Sequence, residues 1–467
     1  MANLNEGVFG VGSVFQQNYR LLLWSIDVLG GDNPLSNSIA DHGMVDADML
    51  KFELDPPGIF LDWQQGEQDI AKLAAKYNLL GLPTLLRDIL LQNVKDILPF
   101  RFGVLEREIA IAEVRIHDIL VGHVEGAHKV EFADMWSVVT GETPPSISSF
   151  KSEISQIHDA IIKLFVKKGI SLHKTTLKEV VEKWEHDQQH YSVDDVEEII
   201  QMVRAAIDDF FPKFCQFALK VRTLAPFVGF LTKDACAIHV LTSMNFDAGS
   251  SYIGGNNPDG TAALKSLYEW NAGRPATAID IQYIAIHEFL HAMNAQLMDL
   301  QRRDGLLGCE SALLTMSSSR VCVEEGLAQT GLEMVYGSFE NVVDALGIDF
   351  GIVMLLDQLQ DIARVFASVG HNLEWQNLNE EDRRLQIYNL IVGDLLQSEH
   401  IGNKYAGPTK KWWRMNIGGI MHSPSYYYGS RAFRKALETN SPEEVFAVAT
   451  HNEGPMDLQA FKKRFSL

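Results

Sequence analysis

With 467 residues, 40 Lys and Arg against 61 Asp and Glu, the chain carries a formal net charge of −21, which argues against a nucleic-acid partner because no basic face is evident. Hydrophobic residues make up 46% and charged residues 22% of it, the composition of a globular protein long enough for two lobes. No window approaches a membrane span, the N-terminus Met1-Ala-Asn-Leu-Asn-Glu-Gly-Val lacks the pattern of a secretory signal, and the four cysteines form no C-x-x-C pair, so a cytoplasmic protein with reduced thiols and no membrane partner is expected.

Residues 1–60 mix short apolar runs with the turn clusters Gly30-Gly31-Asp32-Asn33-Pro34 and Asp55-Pro56-Pro57-Gly58, and are expected to wrap over a helical body. From about residue 66 helical periodicity dominates. Leu105 to Leu120 places apolar residues three and four apart with charges opposite, and Phe150–Lys168, Leu177–His186 and Val193–Leu224 read the same way. Thr140 to Ser149, with Pro144 and Pro145, reads as a linker. After Pro226 the pattern changes to short β-rich runs, Phe227–Thr232 and Ala237–Met244, followed by Ser250-Ser-Tyr-Ile253-Gly-Gly. The expected architecture is therefore mainly α, with a helical N-terminal lobe over 1–225, a second lobe over 226–467 and a small sheet ahead of the helix that follows. Tyr252–Gly255 is a candidate edge strand onto which an extended peptide could add, its glycines letting another backbone come close.

That helix carries Ile281-Gln-Tyr-Ile-Ala-Ile-His287-Glu288-Phe289-Leu290-His291-Ala-Met. Pro275 breaks what precedes it and Thr277 is a candidate N-cap. His287 and His291, four residues apart, share one helix face and can converge on one Zn²⁺, while Glu288 can face a water on that metal. The apolar neighbours Ile284, Ala285, Phe289 and Leu290 imply a buried helix, and three ionisable groups on a buried helix need a reason.

A catalytic zinc of this kind takes a third protein ligand. The pattern with Gly at 294 and His at 297 is absent, since Asn294 and Leu297 stand there. Three glutamates remain. Glu310 lies downstream beside Gly308-Cys309; Glu324 and Glu325 lie in Val321-Cys-Val-Glu324-Glu325-Gly326-Leu-Ala328-Gln329. Small Gly326 and Ala328 favour Glu325, because they would let its helix approach the histidine helix closely.

His287-Glu-Phe-Leu-His291-Ala-Met resembles the zinc helix of the thimet-oligopeptidase family of gluzincin peptidases. Glu325-Gly-Leu-Ala-Gln329 with Leu332-Glu333-Met-Val-Tyr-Gly-Ser is similar to the third-ligand helix of that family and of the carboxypeptidase Taq family. Glu-Gly-Leu-Ala also resembles the motif of tubulin-tyrosine-carboxypeptidase-like proteins, which carry one more residue between their histidines. Downstream, His422-Ser-Pro424-Ser425-Tyr426-Tyr427-Tyr428-Gly429 resembles the Pro-Thr-Tyr-x-x-Gly motif of the Taq family. The resemblance spans residues 280–340 and 415–435 and implies a zinc peptidase acting on peptide or protein substrates.

In that downstream stretch Ser423 can cap a helix opening at Pro424, which would set His422 and Tyr426 at a helix N-terminus, where negative charge is favoured. His422 and Tyr426 are thus candidates for steadying an oxyanion, with packing of the tyrosines in a core as the other possibility. Lys410, Lys411, Arg414, Arg431 and Arg434 either bind a substrate carboxylate or form a solvated face. The expected function is hydrolysis of peptide bonds by a zinc-bound water that Glu288 activates. A zinc hydrolase of a non-peptide amide or specialised metabolite, and a non-catalytic binding protein on the same fold, are the rival expectations.

Overall fold

The computed structural model describes residues 13–30, 58–95, 97, 99–171, 175–233, 236–241, 248–253, 265–304, 306, 318–407, 417–450 and 456–467, with some of them, His422 included, described by backbone alone. The described chain is mainly helical with a small sheet. Helices α1 (Ser13–Gly30), α2 (Gly58–Gln64), α3 (Ile70–Tyr77), α4 (Leu82–Gln92) and α5 (Pro99–Leu120) form an N-terminal bundle. Its own core holds Phe15, Tyr19, Leu22, Leu86 and Ile109. Then come α6 (Phe132–Thr140), α7 (Lys151–Lys167), α8 (Leu177–His186) and α9 (Val196–Ala218).

The apolar packing does not divide at residue 225. Phe165, Phe210 and Phe214, from α7 and α9, share one core with Phe289, Leu327 and Phe366 far downstream, and α9 packs directly on the helix that carries the histidines. The break between cores falls near residue 120 instead.

Strands β1 (His190–Tyr191), β2 (Cys236–Leu241), β3 (Ala248–Ile253), β4 (Lys265–Asn271) and β5 (Ala276–Thr277) follow α9 and the short α10 (Ala225–Val228). They form a two-stranded antiparallel pair, β1 with β5, and a three-stranded sheet in the order β2-β4-β3. In the latter, β2 runs parallel to β4, pairing Cys236 with Ser266, and β3 runs antiparallel to it, pairing Ala248 with Trp270 and Ile253 with Lys265. Buried Tyr268 and Trp270 anchor β4. Strand β3 lies at an edge and packs along the next helix. Tyr252 and Ile253 of the expected edge are in it; Gly254 and Gly255 lie outside the described residues.

That next helix, α11 (Ala278–Arg303), starts where the sequence signals it. Thr277 Oγ1 accepts the Asp280 amide at 3.2 Å, and Asp280 Oδ2 accepts the Thr277 amide at 3.1 Å and its hydroxyl at 2.8 Å. This reciprocal cap satisfies N–H groups that a helix start leaves open. Between Ala285 and Asp299 every residue is buried except half-buried His287.

Helix α12 (Ser319–Tyr336) is buried throughout its first four turns, capped by Ser318 and closed by Gly337 at φ 91°. Helices α13 (Phe339–Leu346), α14 (Ile348–Val369), α15 (Glu380–Asn389), α16 (Glu399–Ala406), α17 (Ile417–Leu437), α18 (Pro442–Ala449) and α19 (Leu458–Arg464) complete the chain. Helices α12 and α17 cross with their backbones nearly in contact. A Cβ on Gly326 would stand 2.8 Å from the Gly429 backbone, and one on Gly429 would stand 2.9 Å from the Gly326 nitrogen and run into the Cys322 carbonyl.

Candidate metal centre

Two helices bring three ligand atoms to one point. His287 and His291 lie one turn apart on α11, and Glu325 reaches them from α12. His287 Nε2 and His291 Nε2 are 3.2 Å apart; Glu325 Oε2 is 3.5 Å from the first and 3.6 Å from the second. Ligands about 2.0–2.2 Å from a tetrahedral Zn²⁺ stand about 3.3–3.6 Å from one another, so the triangle has the size such an ion requires.

The unsatisfied chemistry of the triangle agrees with its size. Among the described residues Glu325 Oε2 is buried without a hydrogen-bond donor, because 3.5–3.6 Å is too long for a good hydrogen bond to either imidazole. Two imidazole nitrogens at 3.2 Å can share only one proton between them. A buried carboxylate oxygen and two lone-pair nitrogens facing one point form a donor set for a cation, and two His with one carboxylate suit zinc. The charges lean the same way. Burial raises the Glu325 carboxyl, but the imidazoles beside it win and hold it well below the usual carboxylate range. Burial lowers His291, yet Glu325, then Glu288 and Glu324, push it up to about 9.

Of the competing glutamates, only Glu324 is among the described residues, and it falls elsewhere. Glu324, adjacent to Glu325 and about 100° round the helix, accepts a hydrogen bond from Asn294 Nδ2 at 2.5 Å and points away from the triangle. Glu310 lies outside the described residues. The small residues do not act as expected, however. Gly326 faces α17, and the close approach of α12 to α11 is made at Gly331, where a Cβ would run into Leu290. Helix rotation separates the two, since five residues at about 100° each put Gly331 about 140° round α12 from Gly326.

Glu288, beside the ligands on α11, is buried to 9% exposure. Among the described residues no hydrogen bond or ion pair holds its carboxylate, which leaves it open to a proton from a bound molecule.

The tyrosine run separates into three roles. Tyr427 donates to Glu153 Oε2 at 2.8 Å and accepts from Arg431 at 2.7 Å. Tyr428 packs edge-on against Trp136 at 6.0 Å. Both are core tyrosines with their own contacts. Tyr426 instead lies under the Arg364 guanidinium, 3.9 Å from its ring centre. Burial first, then the Glu325 carboxylate, push its phenol well above its ordinary value; Arg364 opposes and Glu288 adds to the shift. The phenol is therefore a hydrogen-bond donor within the field of the candidate centre.

The expected start of this helix is corrected. Helix α17 begins at Ile417, and Pro424 lies inside it. Ser423 is not a cap, and His422 and Tyr426 do not sit at a helix N-terminus, so no helix dipole favours charge there. A proline ring inside a helix removes one internal hydrogen bond without ending the helix where packing holds it; here the crossing at Gly429 does so. The His422 side chain lies outside the described residues, as do Lys410, Lys411 and Arg414. Half-buried Arg434 pairs with Glu333 at 3.2 Å, whereas Arg431, which donates to the Tyr427 hydroxyl, is exposed and lies on a solvated face as expected.

Sequence reasoning missed the polar groups behind the centre. Tyr283, Gln329, Asp357, Asp361 and Arg364 converge on it from three helices. Tyr283 is four residues before His287 and Gln329 four after Glu325, a spacing that placed both on the ligand faces. Nothing local marks the α14 residues, because only tertiary packing brings that helix in.

No family model and no curated protein matches the chain. Among solved structures, a protein of Colwellia psychrerythraea provisionally described as a lipoprotein is similar at 14% identity and a TM-score of 0.45, covering 87% of this chain and 72% of that one. A second, from Shewanella oneidensis and provisionally described as a lipoprotein of unknown function, is similar at 14% identity and a TM-score of 0.46, covering 90% and 80% respectively. Among the described residues, no helix is long and apolar enough to cross a membrane.

Proposed function

We propose that this chain is a zinc-dependent hydrolase of peptide bonds, its metal held by His287, His291 and Glu325. The observation that carries the reading is the triangle of ligand atoms 3.2–3.6 Å apart, with a buried carboxylate oxygen that has no other partner among the described residues. When bound, such an ion polarises a carbonyl and makes water more acidic. The remaining roles belong to the chain's own side chains. Glu288, unengaged and next to the ligands, takes a proton from the attacking water and returns it to the leaving amine. Tyr426, kept protonated by its surroundings, donates a hydrogen bond to the carbonyl oxygen as negative charge develops on it. Strand β3, an edge strand among the described residues and lying along α11, would offer backbone groups to an extended peptide, which favours peptides over compact metabolites. A reducing, cytoplasmic setting suits the unpaired thiols Cys215 and Cys322.

Incubating the purified full-length chain with a mixed peptide library, with and without a zinc chelator, tests this reading. Cleavage that the chelator abolishes and added zinc restores is the expected result. Zinc uptake with no peptide cleaved would instead leave a hydrolase of another amide or a binding protein.

A further inference from the structure

The two ligand helices are antiparallel, and polar bonds join them on both sides of the metal position. On one side Asn294 of α11 donates to Glu324 of α12. On the other, the Tyr283 hydroxyl of α11 lies 2.8 Å from Gln329 Oε1 of α12 and 2.8 Å from Asp357 Oδ2 of α14. Along α11 the order is Tyr283, His287, His291, Asn294; along α12 the facing order is Gln329, Glu325, Glu324. Each ligand is thus one helical turn or less from a bond that crosses to the other helix.

A phenol has one hydrogen and a carboxylate only accepts, so the Tyr283 hydrogen goes to Asp357. Gln329 completes the chain with its amide turned to present an N–H to the phenol oxygen, an orientation that the near-identical shapes of the two amide ends allow. The bonds then run in one direction, Gln329 to Tyr283 to Asp357, and tie α12, α11 and α14 at one point. Burial, followed by the Asp357 charge, pushes the Tyr283 phenol well above its ordinary value, so it stays a donor. Its ring is held independently, edge-on against Phe350 of α14 at 5.9 Å.

We propose that Tyr283 is a positioning residue of the metal site, whose hydroxyl, bonded to Gln329 and Asp357, fixes the register of α11 against α12 and so the reach of Glu325 to the two histidines. This rests on the metal reading above. A helix advances about 1.5 Å per residue, and a ligand set holds only within about 0.5 Å, so a slide of a fraction of one residue removes Glu325 from the triangle. Apolar contact alone, such as Leu290 against Gly331, permits such a slide.

The test is competition for zinc between the full-length chain and a graded chelator, measured beside the thermal melting of the metal-free protein. Tyr283→Phe keeps the ring packing and deletes only the hydroxyl. It should lower zinc affinity about 10–100-fold, the range for groups that orient ligands, with little change in metal-free melting. Gln329→Leu should do the same, and the double variant should be no worse than either single one, because both break one unit. Should Tyr283→Phe fail to fold, Gln329→Leu carries the test with Tyr283 intact. Wild-type zinc affinity retained in a folded variant, with only melting lowered, would overturn the positioning role and leave the metal reading standing. No zinc bound by the wild-type chain would overturn both.

Discussion

At the scale of residues, adjacent side chains on one helix divide the chemistry. His287 and His291 form the triangle with Glu325, and buried Glu288 stands beside it with no partner among the described residues. Glu288→Gln keeps shape and removes the basic oxygen, so zinc should remain bound while turnover falls about 10²–10⁴-fold; zinc retention measured with kcat checks both halves. His287→Ala should lose zinc and turnover together. Tyr426→Phe should lower kcat about 10²–10³-fold with a smaller change in KM, since its hydrogen bond strengthens as charge develops on the oxygen. An equal effect from Tyr427→Phe would contradict the assignment, because Tyr427 is bonded to Glu153. The histidine pair and its glutamate were legible in the sequence because four-residue spacing is a property of the helix itself. The selection of Tyr426 from three consecutive tyrosines was only half so, because it depends on which side of α17 meets α14.

At the scale of elements, the centre depends on how closely three buried helices approach. Gly326 and Gly429 let α12 and α17 meet backbone to backbone, which fixes Glu325 and Tyr426 relative to each other. Gly429→Ala would press a methyl group into the Cys322 carbonyl, and overpacking of this kind costs about 1–3 kcal/mol, or more where backbone must move. Melting should fall accordingly, and zinc affinity with it as Glu325 shifts. Gly393→Ala, where a Cβ meets nothing nearby, is the control. The sequence shows that these glycines are small, but not which neighbour each admits, since that follows from helix rotation. For the same reason Pro424 looks like a helix start when read alone, whereas the helix runs through it. The start of α11 was legible because Thr277 and Asp280 cap it locally.

At the scale of the whole molecule, the N-terminal bundle is joined to the helices of the candidate metal centre through α12. Ser318, which caps α12, donates to both oxygens of Glu108 on α5 at 2.7 Å. Burial is the main cause that pushes the Glu108 carboxyl up to about 7, against the pull of Arg320 and Ser318. Its folded value lies above the ordinary 4.5, so the fold favours the protonated form. The resulting stability is fully present below about 4.5 and is lost as pH rises through about 7. Glu108→Gln cannot ionise, so its melting temperature should gain on the wild type as pH rises from about 5 to 8. A difference that does not change with pH would contradict this. Neither the two cores nor this link was legible, because the residues involved are 210 positions apart and no local pattern connects them.

The central claim is that His287, His291 and Glu325 form a zinc site, and metal stoichiometry tests it most directly. Gently purified full-length chain, and the same chain stripped and titrated with zinc, should each hold about one Zn²⁺ per chain at a tight site. Glu325→Ala should lose that site as completely as His291→Ala does, whereas Glu324→Ala should keep it. A wild-type chain that neither carries nor takes up zinc would contradict the account, as would a Glu325→Ala chain that binds zinc as tightly as the wild type.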